Sequence, residues 1–265
     1  MDLSNKIVVI TGASSGIGEA SATEFAKRKN SIVLVARRKE NLESVAKKIT
    51  KYGSEILICK CDVSKWKEVE QMSKTVLDKF GKIDILVNNA GFAIFGSVLE
   101  LKVEEIVSQM ETNYFGMVYC TKAFLPKMLE QKAGHIVNVA SVAGSFGLPG
   151  IASYCASKFA MLGFSEGLYH ELKGSGVGIT VVSPIMVRTN FFDHPSFKSI
   201  PKYSLTSLSS KTVAKAIVKA SNSPRLEIII PPFVRGAVWL KHTLPYLINP
   251  ILGAAFRKQM NTQKL

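Results

Sequence analysis

Seven short apolar runs, most of them rich in β-branched residues, recur along this chain at residues 6–10, 31–36, 55–59, 83–87, 135–140, 177–183 and 226–230. Each is too short for a core helix and largely apolar rather than alternating, the pattern of strands covered on both faces of a parallel sheet. Between them lie stretches that are apolar at helical spacing. These run from a glycine turn to about residue 29, and then over 40–52, 64–80, 103–131, 154 onward and 211–220. Ser64 is the expected N-cap of the third. Strands alternating with helices require crossover connections, so the pattern predicts one α/β domain.

Two segments break the rhythm. Residues 190–208 are irregular, carry Phe191, Phe192 and Phe197, and contain Pro195 and Pro201. A long loop at the carboxyl end of a strand is usually functional, and this one is expected to be a substrate lid. Residues 231–265 mix large apolar side chains with Arg235, Lys241, Arg257 and Lys258 and are interrupted by Pro245 and Pro250. No apolar run there reaches the roughly 18–20 residues that a spanning helix needs. Three roles stay open for this extension: lying on a membrane surface, covering the substrate mouth, or packing between subunits. The expected division is thus a catalytic domain over 1–230 and an extension over 231–265.

With 265 residues, 47% of them hydrophobic, the chain can bury a sizeable core, and no linker or repeat divides it. The formal charge of +14 raises a nucleic-acid reading. The cations are scattered over helix faces without aromatic interleaving or a reader motif, which disfavours that reading and leaves anionic lipid or phosphate ligands. Cys59, Cys61, Cys120 and Cys155 sit in apolar segments and form no disulfide framework, so a reducing compartment is expected. The four histidines are dispersed, and no metal site is expected. The start of the chain lacks the features of a signal peptide, and a cytoplasmic protein is expected, with peripheral contact at the inner membrane surface as an option.

The chemistry concentrates in a few motifs. Thr11-Gly-Ala-Ser-Ser-Gly-Ile-Gly18 stands between a strand and a helix, the context in which backbone amides and a helix N-terminus hold a pyrophosphate. The second strand ends in Ala36-Arg37-Arg38, where an NAD-binding chain often has an acid. Arginine offers a 2′-phosphate a charge-assisted grip, so NADP(H) is expected over NAD. Asp62 and Val63 lie at a strand exit, where Asp62 could meet an adenine amino group, and Asn88-Asn89-Ala90-Gly91 end the fourth strand. Asn113 falls within the second of the helical patterns between 103 and 131, where a buried amide needs a partner. Ser141 ends the fifth strand. Tyr154 and Lys158 are four apart on one helix face, where an ammonium favours a phenolate and could tune it toward acid/base work.

In order and spacing these motifs resemble the short-chain dehydrogenase/reductase family in its compact branch, over about residues 5–230. The resemblance implies a Rossmann-like doubly wound domain with a central parallel seven-stranded sheet flanked by helices. It implies that Tyr154 exchanges a proton with the substrate, that Lys158 lowers the Tyr154 pKa and binds the nicotinamide ribose, and that Ser141 orients the substrate oxygen. Asn113 would bend its helix and hold a water leading to Lys158. The dinucleotide would be held by Gly12, Ser14, Ser15, Gly16, Ile17, Gly18, Arg37, Arg38, Asp62, Val63, Asn89, Ala90 and Gly91. Tyr154, Lys158, Pro184, Val187 and Thr189 would complete that site. The segment Pro184-Ile-Met-Val-Arg-Thr189 is similar to the family's Pro-Gly-x-Val-x-Thr turn, with Ile185 replacing glycine and putting the local backbone path in question. The expected function is an NADPH-dependent carbonyl reductase or alcohol dehydrogenase for a hydrophobic ketone or alcohol, working as a homodimer or homotetramer. The alternatives are an NAD-linked sugar or polyol dehydrogenase and a non-catalytic NADP-binding protein at a membrane.

Overall fold

The computed structural model describes residues 3–197 and 207–261. Seven strands form one sheet: β1 (Ile7–Thr11), β2 (Ser31–Ala36), β3 (Ile56–Lys60), β4 (Ile85–Asn88), β5 (Gly134–Val139), β6 (Val177–Pro184) and β7 (Glu227–Ile230). Their spatial order is β3-β2-β1-β4-β5-β6-β7, and every pairing is parallel. The helices are α1 (Gly16–Ala26), α2 (Lys39–Thr50), α3 (Trp66–Phe80), α4 (Val103–Met110), α5 (Gly116–Glu130), α6 (Ala152–Glu171), α7 (Ser210–Ala220), α8 (Val234–Thr243) and α9 (Pro245–Asn261).

The period of two along each strand sends successive side chains to opposite layers. Val8 and Ile10 of β1 face a core shared with α1, α2 and α7, where Phe25, Leu42 and Ile217 pack. Val9 faces the other core, with α3, α5 and α6 contributing Val76, Phe124 and Leu168. Sandwiched strands of this kind bury both faces, which is why the sequence showed runs rather than alternation.

Two expectations need correction. Helix α3 begins at Trp66 with Lys65 at the cap position, not with Ser64. The Ser64 N–H and hydroxyl both donate to Asp62 Oδ1, at 3.1 and 2.8 Å, so the serine serves a turn instead of a helix end. Asn113 does not lie inside the second helix. It lies in a π-helical segment, Glu111–Phe115, between α4 and α5. A π-turn is wider than an α-turn and shifts the phase of the side chains around it, and here Asn113 is completely buried. Ile185, whose effect on the backbone path the sequence left open, is not among the residues of positive φ. Its N–H donates to the Ile230 carbonyl at 2.9 Å, so β6 runs straight into the following turn without glycine.

Part of the expected lid, residues 198–206 with Pro201, lies outside the described residues. Its stems are joined: Val187 and Arg188 pair with Leu208 and Ser209 in a short parallel ladder. At the other end of the chain, no described helix is long and apolar enough to cross a membrane.

Candidate active site

The strand order reverses between β1 and β4, and in an open parallel sheet the crevice beyond the carboxyl ends at such a point is where ligands bind. A threonine holds the two sides of this crevice together. Thr11 Oγ1 accepts the N–H groups of Asn89 and Ala90, at 2.9 and 3.0 Å. The Asn89 carboxamide donates back to the Thr11 carbonyl at 2.9 Å.

The loop after β1 is shaped for close approach. Gly12 and Gly16 take left-handed backbone conformations, φ 64° and 58°, which glycine adopts without the steric penalty of a side chain. A Cβ on Gly18 would collide with the Gly12 carbonyl, and one on Gly12 would meet Asn89 Nδ2 at 2.9 Å. Ser15 stands at the N-cap of α1 yet makes no side-chain hydrogen bond to the helix. The first amides of α1 are therefore left for another acceptor, as a phosphate site requires. A Cβ on Gly16 would lie 3.2 Å from Thr189, so the turn after β6 closes over the glycine loop. These features fit a dinucleotide. Arg37 and Arg38 are exposed at the end of β2, next to the same loop. Asp62 Oδ1 is engaged by Ser64. Val63 is buried against Gly116.

The four candidate catalytic residues converge beside this loop. Ser141 caps a short turn, accepting the Ala143 N–H at 3.1 Å, and its hydroxyl lies 3.4 Å from the Pro184 carbonyl. The Tyr154 phenol lies beside Ser141, near enough for the serine to act on its acidity. Lys158 is buried, donating to the Val139 carbonyl at 3.0 Å and meeting Met161 Sδ at 3.3 Å. Its Nζ is 5.6 Å from the centre of the Tyr154 ring. A Cβ on Gly91 would approach both Asn113 Oδ1, at 3.0 Å, and Lys158 Nζ, at 3.6 Å, so only glycine leaves this corner open.

The electrostatics differ from the simple tuning expected from the sequence. Burial dominates and pushes the Tyr154 phenol above its usual value, while Ser141 pulls it down. Burial also pulls the Lys158 ammonium down, from 10.5 to about 7. Both shifts favour the neutral forms, because removing a charge from water costs more than one uncharged neighbour returns.

Asn113 and the lid phenylalanines, singled out in the sequence, here meet partners that were not. The Asn113 carboxamide accepts the Phe92 N–H and donates to the Phe92 carbonyl, each at 2.9 Å, and donates to Ser157 Oγ at 2.9 Å. Ser157 in turn donates to the Tyr154 carbonyl at 2.7 Å, which ties the π-turn to α6. Phe191 stacks edge-on against Tyr154, with ring centres 5.5 Å apart, and Phe192, Phe197 and Phe95 extend the aromatic wall. Thr11 opens the glycine motif in the sequence, but its bridge to Asn89 and Ala90 shows only in the fold. Ser157, Met161 and Phe95 become meaningful only once distant segments meet. Among the described residues no cluster of His, Cys, Asp and Glu could hold a metal ion.

Comparison with known proteins agrees with this geometry. Residues 6–196 match the short chain dehydrogenase family. Human 17-beta-hydroxysteroid dehydrogenase 13 is 34% identical over 254 residues, 95% of this chain and 83% of that one. A short-chain dehydrogenase/reductase of Burkholderia phymatum, solved with NAD, superposes with a TM-score of 0.84 at 29% identity, covering 93% of this chain and 96% of that one. The alcohol dehydrogenase of Thermococcus sibiricus, solved with 5-hydroxy-NADP, gives 0.76 at 28% identity, covering 85% and 95%. With a doubly wound sheet, a glycine loop at its switch point and this sequence similarity along most of its length, the chain belongs to the short-chain dehydrogenase/reductase family of oxidoreductases.

Proposed function

We propose that this oxidoreductase is an NADPH-dependent carbonyl reductase, formally acting on CH–OH donors with NADP as acceptor, and that its substrate is a hydrophobic ketone or aldehyde. The observation that carries the reading is the buried Tyr154 phenol, walled by Phe191 and with the Lys158 ammonium 5.6 Å from its ring centre, beside Ser141 and the glycine loop. Bound nicotinamide supplies the hydride. With its pKa raised by burial, Tyr154 stays protonated at neutral pH and is ready to give its proton to a carbonyl oxygen. Ser141 holds that oxygen in line with the phenol. Lys158, with a pKa brought to about 7, can carry or release a proton near neutrality and so restore Tyr154 after each turnover. Asn113 and Ser157 fix the helix that bears both.

Gly12, Ser14, Ser15, Gly16, Ile17 and Gly18 would hold the pyrophosphate, Arg37 and Arg38 the 2′-phosphate, and Asn89 to Gly91 with Val187 and Thr189 the nicotinamide end. Asp62 and Val63 would border the adenine. NAD is the second reading, favoured by its presence in the Burkholderia relative. Assembly into a homodimer or homotetramer belongs to the same proposal. It is supported by Val103, Val107 and Phe115 of the α4–α5 face and Tyr169 of α6, all exposed.

The test is a panel of apolar ketones and aldehydes assayed with NADPH and NADH, on the parent protein and on Tyr154→Phe. Oxidation of NADPH by the parent is expected, together with a loss of at least about 10³-fold in kcat for the variant and little change in coenzyme affinity. A variant that retains most of its turnover removes Tyr154 from the proton-donor role.

A further inference from the structure

Beyond the catalytic crevice, helices α8 and α9 carry an outward face that the rest of the chain leaves uncovered. Helix α8 buries none of its residues. Trp239 is 65% exposed, Leu244 46%, Tyr246 95%, Leu247 60% and Ile251 60%. Isolated apolar residues on a surface are ordinary, but a set this dense on two consecutive helices marks a place where something binds. Nothing among the described residues is long and apolar enough to span a bilayer, so a membrane would be met from the side.

Charge decides what the partner is. From Pro231 to Leu265 the sequence has no Asp or Glu, but it has five cations: Arg235, Lys241, Arg257, Lys258 and Lys264. Arg235 lies one turn before Trp239 on α8, and Lys241 also anchors that helix, with its Nζ 5.5 Å from the Phe159 ring of α6. A second copy of the same face would bring cations against cations with no carboxylate from the segment to pair with them, and two-fold symmetry would double the repulsion. An anionic lipid surface supplies both needs at once. Its headgroups attract the cations, its acyl boundary takes the apolar side chains, and Trp and Tyr favour the boundary itself.

We propose that α8 and α9 seat this protein on an anionic membrane surface. Helix α8 starts just beyond the carboxyl end of β7, on the edge of the parallel sheet that also bears Ser141 and the turn after β6. Docking therefore brings the candidate site near the lipid, from which a hydrophobic carbonyl compound could be drawn. Only that last clause rests on the reductase reading; the docking itself requires no turnover.

The experiment is flotation of the full chain with vesicles of phosphatidylcholine alone, or containing about 30% phosphatidylserine, at low and high salt. Affinity for the anionic vesicles is expected to exceed that for the neutral ones at least about tenfold, and to fall about tenfold as NaCl rises from about 50 to about 500 mM. Two double variants, Trp239→Ser with Leu247→Ser and Arg235→Glu with Lys241→Glu, should each weaken binding about tenfold or more. Neither should change the turnover of a water-soluble carbonyl compound, and Trp239→Ser with Leu247→Ser should also leave the melting temperature unchanged. Equal affinity for neutral and anionic vesicles, absence of binding at low salt, or double variants that bind like the parent would overturn the proposal. So would double variants that lower the molar mass in solution while vesicle binding persists, since the face would then join copies of the chain. Loss of reductase activity in every substrate screen, with vesicle binding intact, would count against the function proposed above and leave the docking surface standing.

Discussion

Replacing Lys158 with methionine should yield a protein that is more stable and has no reductase activity. The ammonium is 3% exposed, and among the described residues no carboxylate is paired with it. Its folded pKa of about 7 against 10.5 for the free group means that folding disfavours the proton. Below the folded value both states are charged, and the full penalty applies, about 5 kcal/mol at roughly 1.4 kcal/mol per pH unit. Between about 7 and 10.5 the unfolded chain binds more protons than the native one, so stability rises with pH and the penalty fades. Methionine is flexible and apolar and can lie beside Met161, and the variant forfeits about 1 kcal/mol for the hydrogen bond to Val139. A net gain of up to about 4 kcal/mol is therefore expected near pH 6, shrinking toward zero or reversing near pH 10. Urea unfolding of both proteins without coenzyme, at about pH 6, 8 and 10, measures the difference. A variant less stable than its parent at about pH 6, or a gap that does not change with pH, would refute the account of a charge held at a cost for the sake of chemistry.

Three further outcomes follow from the same structure. Arg37→Ala should cut the preference for NADPH over NADH by about tenfold or more in kcat/KM, through loss of a charge-assisted contact with the 2′-phosphate; an unchanged ratio removes Arg37 from that contact. Gly18→Ala should weaken coenzyme binding and lower stability by about 2 kcal/mol or more, since the new methyl would meet the Gly12 carbonyl and Asn89; calorimetry with NADPH, paired with thermal unfolding, tests both effects. His135 faces Thr180 Oγ1 at 3.0 Å, and burial lowers its pKa from 6.5 to about 4, so it contributes stability above the higher value that is lost as pH falls toward the lower. His135→Gln should flatten that acid slope, a difference on the order of 2 kcal/mol between about pH 7 and 4.5 by urea unfolding, whereas an identical slope would locate the acid sensitivity elsewhere.

How the crevice works depends on meetings between distant segments. Thr11 meets residues 89 and 90, and Asn113 meets Phe92 and Ser157. The Phe191 ring reaches Tyr154 from the turn after β6. None of these distances is written in local spacing. The π-turn escaped the helical pattern because one extra residue in a long apolar stretch leaves the periodicity on either side nearly intact. Ser64 looked like a helix cap because serine favours that place, but an acceptor two residues earlier, Asp62, claimed it first.

What the sequence alone determined is the ladder of seven buried strands, the glycine turn after the first, and the single helix face shared by Tyr154 and Lys158. These follow from periodicity and from residues with few conformational alternatives. The tertiary structure decided the protonation preferences of the site. A lysine four residues from a tyrosine suggests an acidified phenol if both are pictured in water. In the folded protein each group is stripped of solvent, and desolvation depends on everything packed around it, not on the neighbour one turn away.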